Sequence, residues 1–409
     1  LLETMTAERG QAPGFIVVVA DAPVPGAPGA AGRAATLVEA AAADHVVHLF
    51  VLEEGPPPHA SVGTDAAGAP IAGVANSGGM DPVPGAHSVT RLPRGSAAGP
   101  RPARELVAEV AAQLGAVDAR SVHGVLVQGL DLTPTASALA DWLGVTLLVD
   151  AAGDHEGLLR AEQPDVATEP QWYLGTGCAG RASTVLVASS REGEQVARHL
   201  GAGRTVVVPD AAPEVPWQVG PPTGTGQVLA RGDYTQPPDL AAARWLLVEV
   251  LPLLPEAFTL VLAGPSGDEL RHLVNRRPGV RVQGPSEDLL AAYQFADVAV
   301  AAQPVLGGGR VPVLEAFRHK RAVVATKAAV DGLQAVEGIH VRTAEEPDAF
   351  AAAIMAAARP RTEQAEQLVA DQVTAAFHLA TAAHDPVAVR NLAADALSAA
   401  TGARPRTAA

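Results

Sequence analysis

The 409-residue chain has a single cysteine, Cys178, and only two lysines, Lys320 and Lys327. One thiol makes neither an internal disulfide nor a cysteine-based zinc site, and a reducing cytoplasm is the expected setting. Aromatic residues are only 3% of the chain, so its 48% hydrophobic content rests largely on alanine and valine. That content excludes a mostly disordered chain. No run of 18 apolar residues occurs, so no transmembrane helix is expected. The opening LLETMTAERG has no basic start leading into an apolar stretch, and no secretory leader is expected. Positive charge is also scarce. The formal net charge of −15 argues against a nucleic-acid partner. Residues 1–217 hold 12 basic and 24 acidic groups, whereas residues 218–409 hold 17 and 20. The second half is thus the better host for a polyanionic ligand, and the acidic first half disfavours an anionic membrane surface.

Several motifs are missing or misplaced. GTGCAG at 175–180 has the glycine spacing of a dinucleotide loop, but a strand-like run follows it where a helix is required. Neither lysine sits in a Gly-Lys-Ser/Thr phosphate loop, and GPSGD at 264–268 departs from a nucleophile elbow at its last residue. The histidines form no HExxH, and Asp154-His155-Glu156 is too contiguous to ligate one ion, so no metal site is expected. No Asp-x-Asp pair is present to hold a divalent cation against a diphosphate.

What is present is alternation. Short apolar runs at 15–20, 45–52, 86–91, 122–128, 145–149 and 184–188 read as buried parallel strands, with helices at 30–43, 103–114 and 134–142. Residues 53–84 read as a long Gly/Pro/Ala surface loop, and 209–226 as an interdomain linker. The pattern then restarts. Strands are expected at 227–231, 258–263, 279–283, 297–302, 321–326 and 339–342, with helices at 239–253, 286–295, 313–319 and 347–357. From 360 on the chain reads as helical, broken at Asp385-Pro386, and the last residues read as frayed. The fold class is α/β, doubly wound.

One stretch points to chemistry. Residues 296–333 run from a buried strand through Gly307-Gly308-Gly309 into a helix and a second buried strand. Glycines let a backbone approach a ligand, and a helix N-terminus favours an anion. Arg310 offers a planar fork for phosphate, and Glu315, a turn and a half into the helix, can accept from two neighbouring hydroxyls. Read by themselves, these residues fit either a ligand turn or a plain strand-to-helix turn with Glu315 on a solvated face. Trp142 and Trp245 lie in apolar helical patterns that read as core, and Cys178 reads as an inert thiol.

The stretch resembles the donor-site signature of family-4 glycosyltransferases. The matching pieces are Gly307-Gly308-Gly309-Arg310, Leu314-Glu315-Ala316, Ala322 to Thr326 and Asp331-Gly332-Leu333. Residues 230–254, 260–265 and 280–300 are similar to other parts of that family's second domain. Gly29 to Arg33 resembles its cleft-facing glycine loop. The resemblance implies the GT-B fold: two Rossmann-like domains facing across a cleft, with the C-terminal helix crossing back to the first. The corresponding domains are 1–215 on the acceptor side, 216–385 on the donor side, and 386–409 for the returning helix. It implies a nucleotide diphosphate sugar as donor, with no other cofactor, no metal and retention at the anomeric carbon. Gly232, Gly264, Gly284, Gly307, Gly308, Gly309, Arg310 and Glu315 would bind that donor, Glu315 through the ribose. Gly29 and Arg33 would lie on the acceptor side of the cleft. Asp150 ends a buried strand at the first sheet's C-terminal edge, where ligands bind, and reads either as acceptor-facing in that cleft or as a helix cap. The acceptor would be a small molecule, a glycolipid or a polysaccharide, and no catalytic base or nucleophile is assigned.

The departures from the pattern are informative. Gly307 stands where many relatives have a first glutamate, and Pro312 where a lysine is usual. The basic pair on the first turn of the second domain is missing, with Arg231 just before it. Gln128 stands in place of a cleft histidine, with His123 at the strand's start. A departing diphosphate needs positive charge where its own charge develops. These losses motivate a competing expectation, a non-catalytic GT-B relative that binds a ligand or partner. A third is another GT-B enzyme, such as a sugar-nucleotide epimerase.

Overall fold

In this computed structural model the described residues are 14–19, 29–53, 86–93, 95–96, 99–100, 103–113, 121–130, 132–152, 178–200, 205–215, 220–275, 277–284, 289–303 and 310–401. The long loop expected at 53–84 and the C-terminal tail lie almost wholly outside them, as do Gly307, Gly308 and Gly309.

The first half forms a seven-stranded sheet. Its strands are β1 (Gly14–Val19), β2 (Val46–Glu53), β3 (Ala86–Pro93), β4 (Val122–Gln128), β5 (Thr146–Asp150), β6 (Thr184–Val187) and β7 (Thr205–Val207). Their order is β3-β2-β1-β4-β5-β6-β7, with every pairing parallel. Helices α1 (Gly29–Ala42), α2 (Ala103–Gln113), α3 (Thr133–Leu143) and α4 (Ser190–Leu200) connect them. Burial on both faces explains the near-continuous apolar runs. Val125 and Val127 face the core that holds Leu139, while the alternate Leu126 and Leu148 face the one holding Leu37. Pro134 sits in the first turn of α3, and Gly144, in the left-handed region at φ 69°, ends it.

The second half repeats the plan. Strands β8 (Gln227–Arg231), β9 (Thr259–Ala263), β10 (Val280–Gln283), β11 (Val298–Ala301), β12 (Ala322–Ala325) and β13 (Arg342–Thr343) lie in the order β10-β9-β8-β11-β12-β13, again all parallel. Its helices are α5 (Pro237–Trp245), α6 (Asp268–Val274), α7 (Leu289–Phe295), α8 (Arg310–Arg318), α9 (Pro347–Ala358), α10 (Glu363–Ala382) and α11 (Pro386–Thr401). In both sheets the winding direction reverses beside the first strand, between β1 and β4 and between β8 and β11. Such switch points open a crevice at the strands' C-terminal ends, where ligands bind.

The break at Asp385-Pro386 has the expected form, with Asp385 Oδ1 accepting from the Ala388 amide at 2.9 Å. Beyond it α11 returns to the first domain. It packs Val389, Ala393 and Leu397 into the core holding Leu37 and Val38, and Arg390 pairs with Glu39 at 2.9 Å.

Four details differ from the expectations. The helix read over 239–253 is α5 followed by a π turn at Leu246–Val250 and a 3-10 turn at Leu251–Leu253. Pro252 lacks an amide hydrogen and crowds the preceding turn, which loosens the helix. The strand read at 339–342 is β13, shifted onward, and Ile339 is exposed. Helices α4 and α6 and strand β7 had no counterpart in the reading. Trp142 is 54% exposed and is not core.

Candidate functional site

The crevice at the second sheet's switch point is built by residues that end β8 and β9 and by helices α7 and α8. Glu315 lies in the second turn of α8, 5% exposed rather than solvated. Arg231, the last residue of β8, places Nη1 2.5 Å from Glu315 Oε2. The Tyr293 hydroxyl on α7 donates to the same oxygen at 3.1 Å. Burial raises the Glu315 carboxyl above its ordinary range, and the Arg231 charge and the Tyr293 hydrogen bond only partly counter this. One turn on, His319 stacks on Tyr293 with ring centres 4.2 Å apart and planes 17° apart. Burial and the charges of Arg321, Arg231 and Arg318 push His319 down to about 4, so it is neutral near pH 7.

Gly232 and Gly264 end the two adjacent strands and come into close contact. A Cβ on Gly264 would lie 2.0 Å from the Gly232 carbonyl oxygen, and Gly264 itself sits at φ 136°. Gly264 is therefore closed to side chains. A Cβ on Gly232 would meet Asp239 Oδ2 at 2.9 Å. That carboxylate accepts from the Asp233 amide at 2.6 Å and, through its other oxygen, from Gln303 Nε2. It fixes the turn after β8 against the start of α5. Gly284 follows β10 at the outer side of the sheet, where Gln283 accepts from the Gly264 amide at 2.9 Å.

Arg310 is placed elsewhere. At the start of α8 it is 3% exposed and points to the first domain, where Nη2 pairs with Glu192 of α4. Its Nε lies 3.0 Å from Asp210 Oδ2 in the connection between the domains. Asp210 also meets Arg33 Nη1 at 3.2 Å. Arg33 in turn grips Asp150 through Nε at 2.8 Å and Nη2 at 2.7 Å, and donates to the Val208 carbonyl at 2.9 Å. Burial pulls the Arg33 guanidinium down, but the Asp150 and Asp210 charges outweigh it and raise it above its ordinary value. The charges of Arg310 and Arg33 likewise overcome burial at Asp210 and hold its carboxyl below the ordinary range. His384, fully buried at the turn into α11, places Nδ1 2.8 Å from the Asp210 carbonyl and Nε2 3.1 Å from that of Leu333.

The expected site residues thus fall into two groups. Gly232, Gly264, Glu315 and, further out, Gly284 share the second domain's crevice. Gly29, the first residue of α1, Arg33 and Asp150 lie at the first domain's switch point, and Arg310 joins that group across the junction. Gly307 to Gly309 lie outside the described residues. The sequence reading missed Tyr293, Asp239, Asp210, Glu192 and His384, and took Arg231 only as the residue before a turn. Local sequence carries little trace of these partnerships, because Arg33 and Asp150 are 117 residues apart. A cluster of three or more metal-ligating side chains does not occur among the described residues. Nor, among them, is any helix long and apolar enough to cross a membrane.

Residues 226–359 match the family described as glycosyl transferases group 1. No curated protein matches the chain. Among solved structures, the chain is similar to Anabaena HepE in complex with UDP-glucose, at 16% identity and a TM-score of 0.66, covering 94% of this chain and 99% of that one. It is similar to sucrose-phosphate synthase from Thermosynechococcus elongatus at 16% identity and a TM-score of 0.67, covering 96% and 100%. A glycosyltransferase from Rickettsia africae ESF-5 aligns at 12% identity and a TM-score of 0.58, covering 97% and 100%. At these identities the likeness carries the fold, which is GT-B.

Proposed function

We propose that this chain, whose second domain carries a glycosyl transferases group 1 segment, transfers a sugar from a nucleotide diphosphate sugar to an acceptor held by the first domain. The observation that supports this most is the position of Glu315. A buried carboxylate faces the end of β8 inside the family-matched segment, held by Arg231 and Tyr293 beside the Gly232–Gly264 turn. In this reading Glu315 accepts the donor's ribose hydroxyls. The glycine turn lets the diphosphate approach main-chain amides, and Arg231 is the guanidinium next to that turn. Positive charge there stabilises the diphosphate as the sugar departs. Closing the cleft excludes the water that would hydrolyse the donor. Retention at the anomeric carbon, independence of metal ions and a cytoplasmic setting are further parts of the proposal, the first two by family resemblance. The bound UDP-glucose of Anabaena HepE belongs to that protein, and it makes UDP-sugars the first donors to try.

A second reading is favoured by Arg310. Its guanidinium is committed to Glu192 and Asp210 and not to the donor crevice. A chain that keeps the fold and the nucleotide pocket but lacks transfer activity fits that wiring. Calorimetry with UDP, GDP and ADP, together with donor hydrolysis and transfer assays in acceptor-containing extracts, separates the two. Binding with turnover supports transfer, binding without turnover supports the second reading, and no binding removes both.

A further inference from the structure

The chain has three tyrosines, and two of them, Tyr234 and Tyr293, are buried in the second domain. They are used differently. The Tyr234 hydroxyl donates to the Ala230 carbonyl at 2.8 Å, a bond between groups four residues apart in its own turn. The Tyr293 hydroxyl reaches 22 residues along the chain to a carboxylate. Arg231 approaches the same atom, Glu315 Oε2, from β8. Two groups from two elements therefore converge on one carboxylate oxygen. Glu315 Oε1 accepts no hydrogen bond among the described residues. Two contacts at one oxygen hold that atom in place, and donors near its lone-pair directions favour one plane for the carboxylate. The ring that carries the hydroxyl is itself fixed, 1% exposed and stacked on His319.

We propose that Tyr293 is a positioning residue for nucleotide binding: acting through Glu315, it sets the carboxylate in the orientation that accepts the vicinal hydroxyls of a ribose. The inference rests on the nucleotide reading given above. A glutamate side chain left to itself samples several rotamers and loses that freedom on binding. Here the protein has already removed it. The hydrogen bond also favours the charged form of Glu315, which is the form that accepts from two hydroxyls at once. The groups that face this carboxylate are Arg231 from β8 and Tyr293 from α7, and His319 acts on it only through the Tyr293 ring on which it stacks.

The test uses the full chain with UDP, GDP and ADP as calorimetric probes across a pH series. Tyr293→Phe keeps the ring and its stacking and removes only the hydroxyl, and Tyr234→Phe does the same where the partner is a carbonyl. Tyr293→Phe is expected to weaken the nucleotide that binds by about five- to tenfold, the scale of one ordinary hydrogen bond. It should also move the acid limb of the binding curve to higher pH. Tyr234→Phe should lower thermal stability while leaving affinity and acid limb in place. Unchanged affinity and an unmoved limb in Tyr293→Phe, with Glu315→Ala impaired, overturn the role of Tyr293 alone. Wild-type chain that binds none of the three nucleotides, or Glu315→Ala that binds as wild type, removes the nucleotide reading and this inference with it.

Discussion

Within the second domain's crevice, one buried carboxylate, Glu315, meets one guanidinium and one phenol. At the junction between the domains, two buried carboxylates, Asp150 and Glu192, and the partly buried Asp210 share the guanidiniums of Arg33 and Arg310. Both sets lie by the switch point of a parallel sheet, and both draw partners from distant parts of the chain. They differ in what remains available. The junction guanidiniums are spent on carboxylates, so a ligand gains access to them only by displacing a partner. The crevice keeps one oxygen of its acid uncommitted among the described residues and a glycine turn beside it. Position in an α/β sheet therefore nominates residues for binding, and hydrogen-bond saturation sorts those that hold the molecule together from those ready for a ligand.

The contrast can be broken most directly at Arg33. Arg33→Ala leaves Asp150 buried without its counter-charge, and chemical denaturation should show a loss of about 3–5 kcal/mol. Replacing Arg33 and Asp150 together with Met and Leu should recover most of that loss, because the penalty belongs to the stranded charge. On the crevice side, Glu315→Ala should weaken nucleotide binding by about 1–3 kcal/mol in calorimetry, the range for hydrogen bonds to a charged group. Unchanged affinity would take Glu315 out of the site.

Proton linkage sharpens the comparison. His319 is lowered from 6.5 to about 4 in the fold, so the unfolded chain binds its proton first as pH falls. The stability it contributes is complete above about pH 6.5 and is lost as pH drops toward 4, by about 3 kcal/mol. Denaturation at stepped pH should show this slope in the wild type and a flatter one in His319→Phe. Asp210 is depressed instead, so its contribution persists to lower pH and fades only below the ordinary aspartate range. The smallest effect is expected at the rim of the junction. Arg191 is 62% exposed and 3.8 Å from Asp331, and Arg191→Ala should change stability by less than about 0.5 kcal/mol.

Much of the architecture was legible because it depends on local pattern. Runs such as TLVLA in β9 and AVVA in β12 are apolar on both faces, which only a covered parallel strand requires. Helix α4 escaped notice because SREGEQVARHL is mostly polar and has few apolar residues to set a period. Helix α6 and strand β7 were too short to announce themselves, with seven and three residues. Glu315 could be singled out from its place after a glycine turn. Its partners could not, since Arg231 and Tyr293 arrive from other elements. Arg310 shows the limit most sharply. An arginine at a helix start beside glycines suits a phosphate, and nothing nearby in the sequence discloses that Glu192, 118 residues earlier, takes it.

The chain passes between the two lobes twice, once after β7 and once from α10 into α11, and the two passages are stitched together. The Ala212 amide donates to the His384 carbonyl at 2.8 Å, and the His384 ring returns to the Asp210 carbonyl at 2.8 Å. A swinging gate fastened at one pivot turns about that pivot and does little else. Any opening of this molecule is accordingly steered by the handful of residues that join the two passages. A protease nick in one passage would leave the lobes tethered by the other.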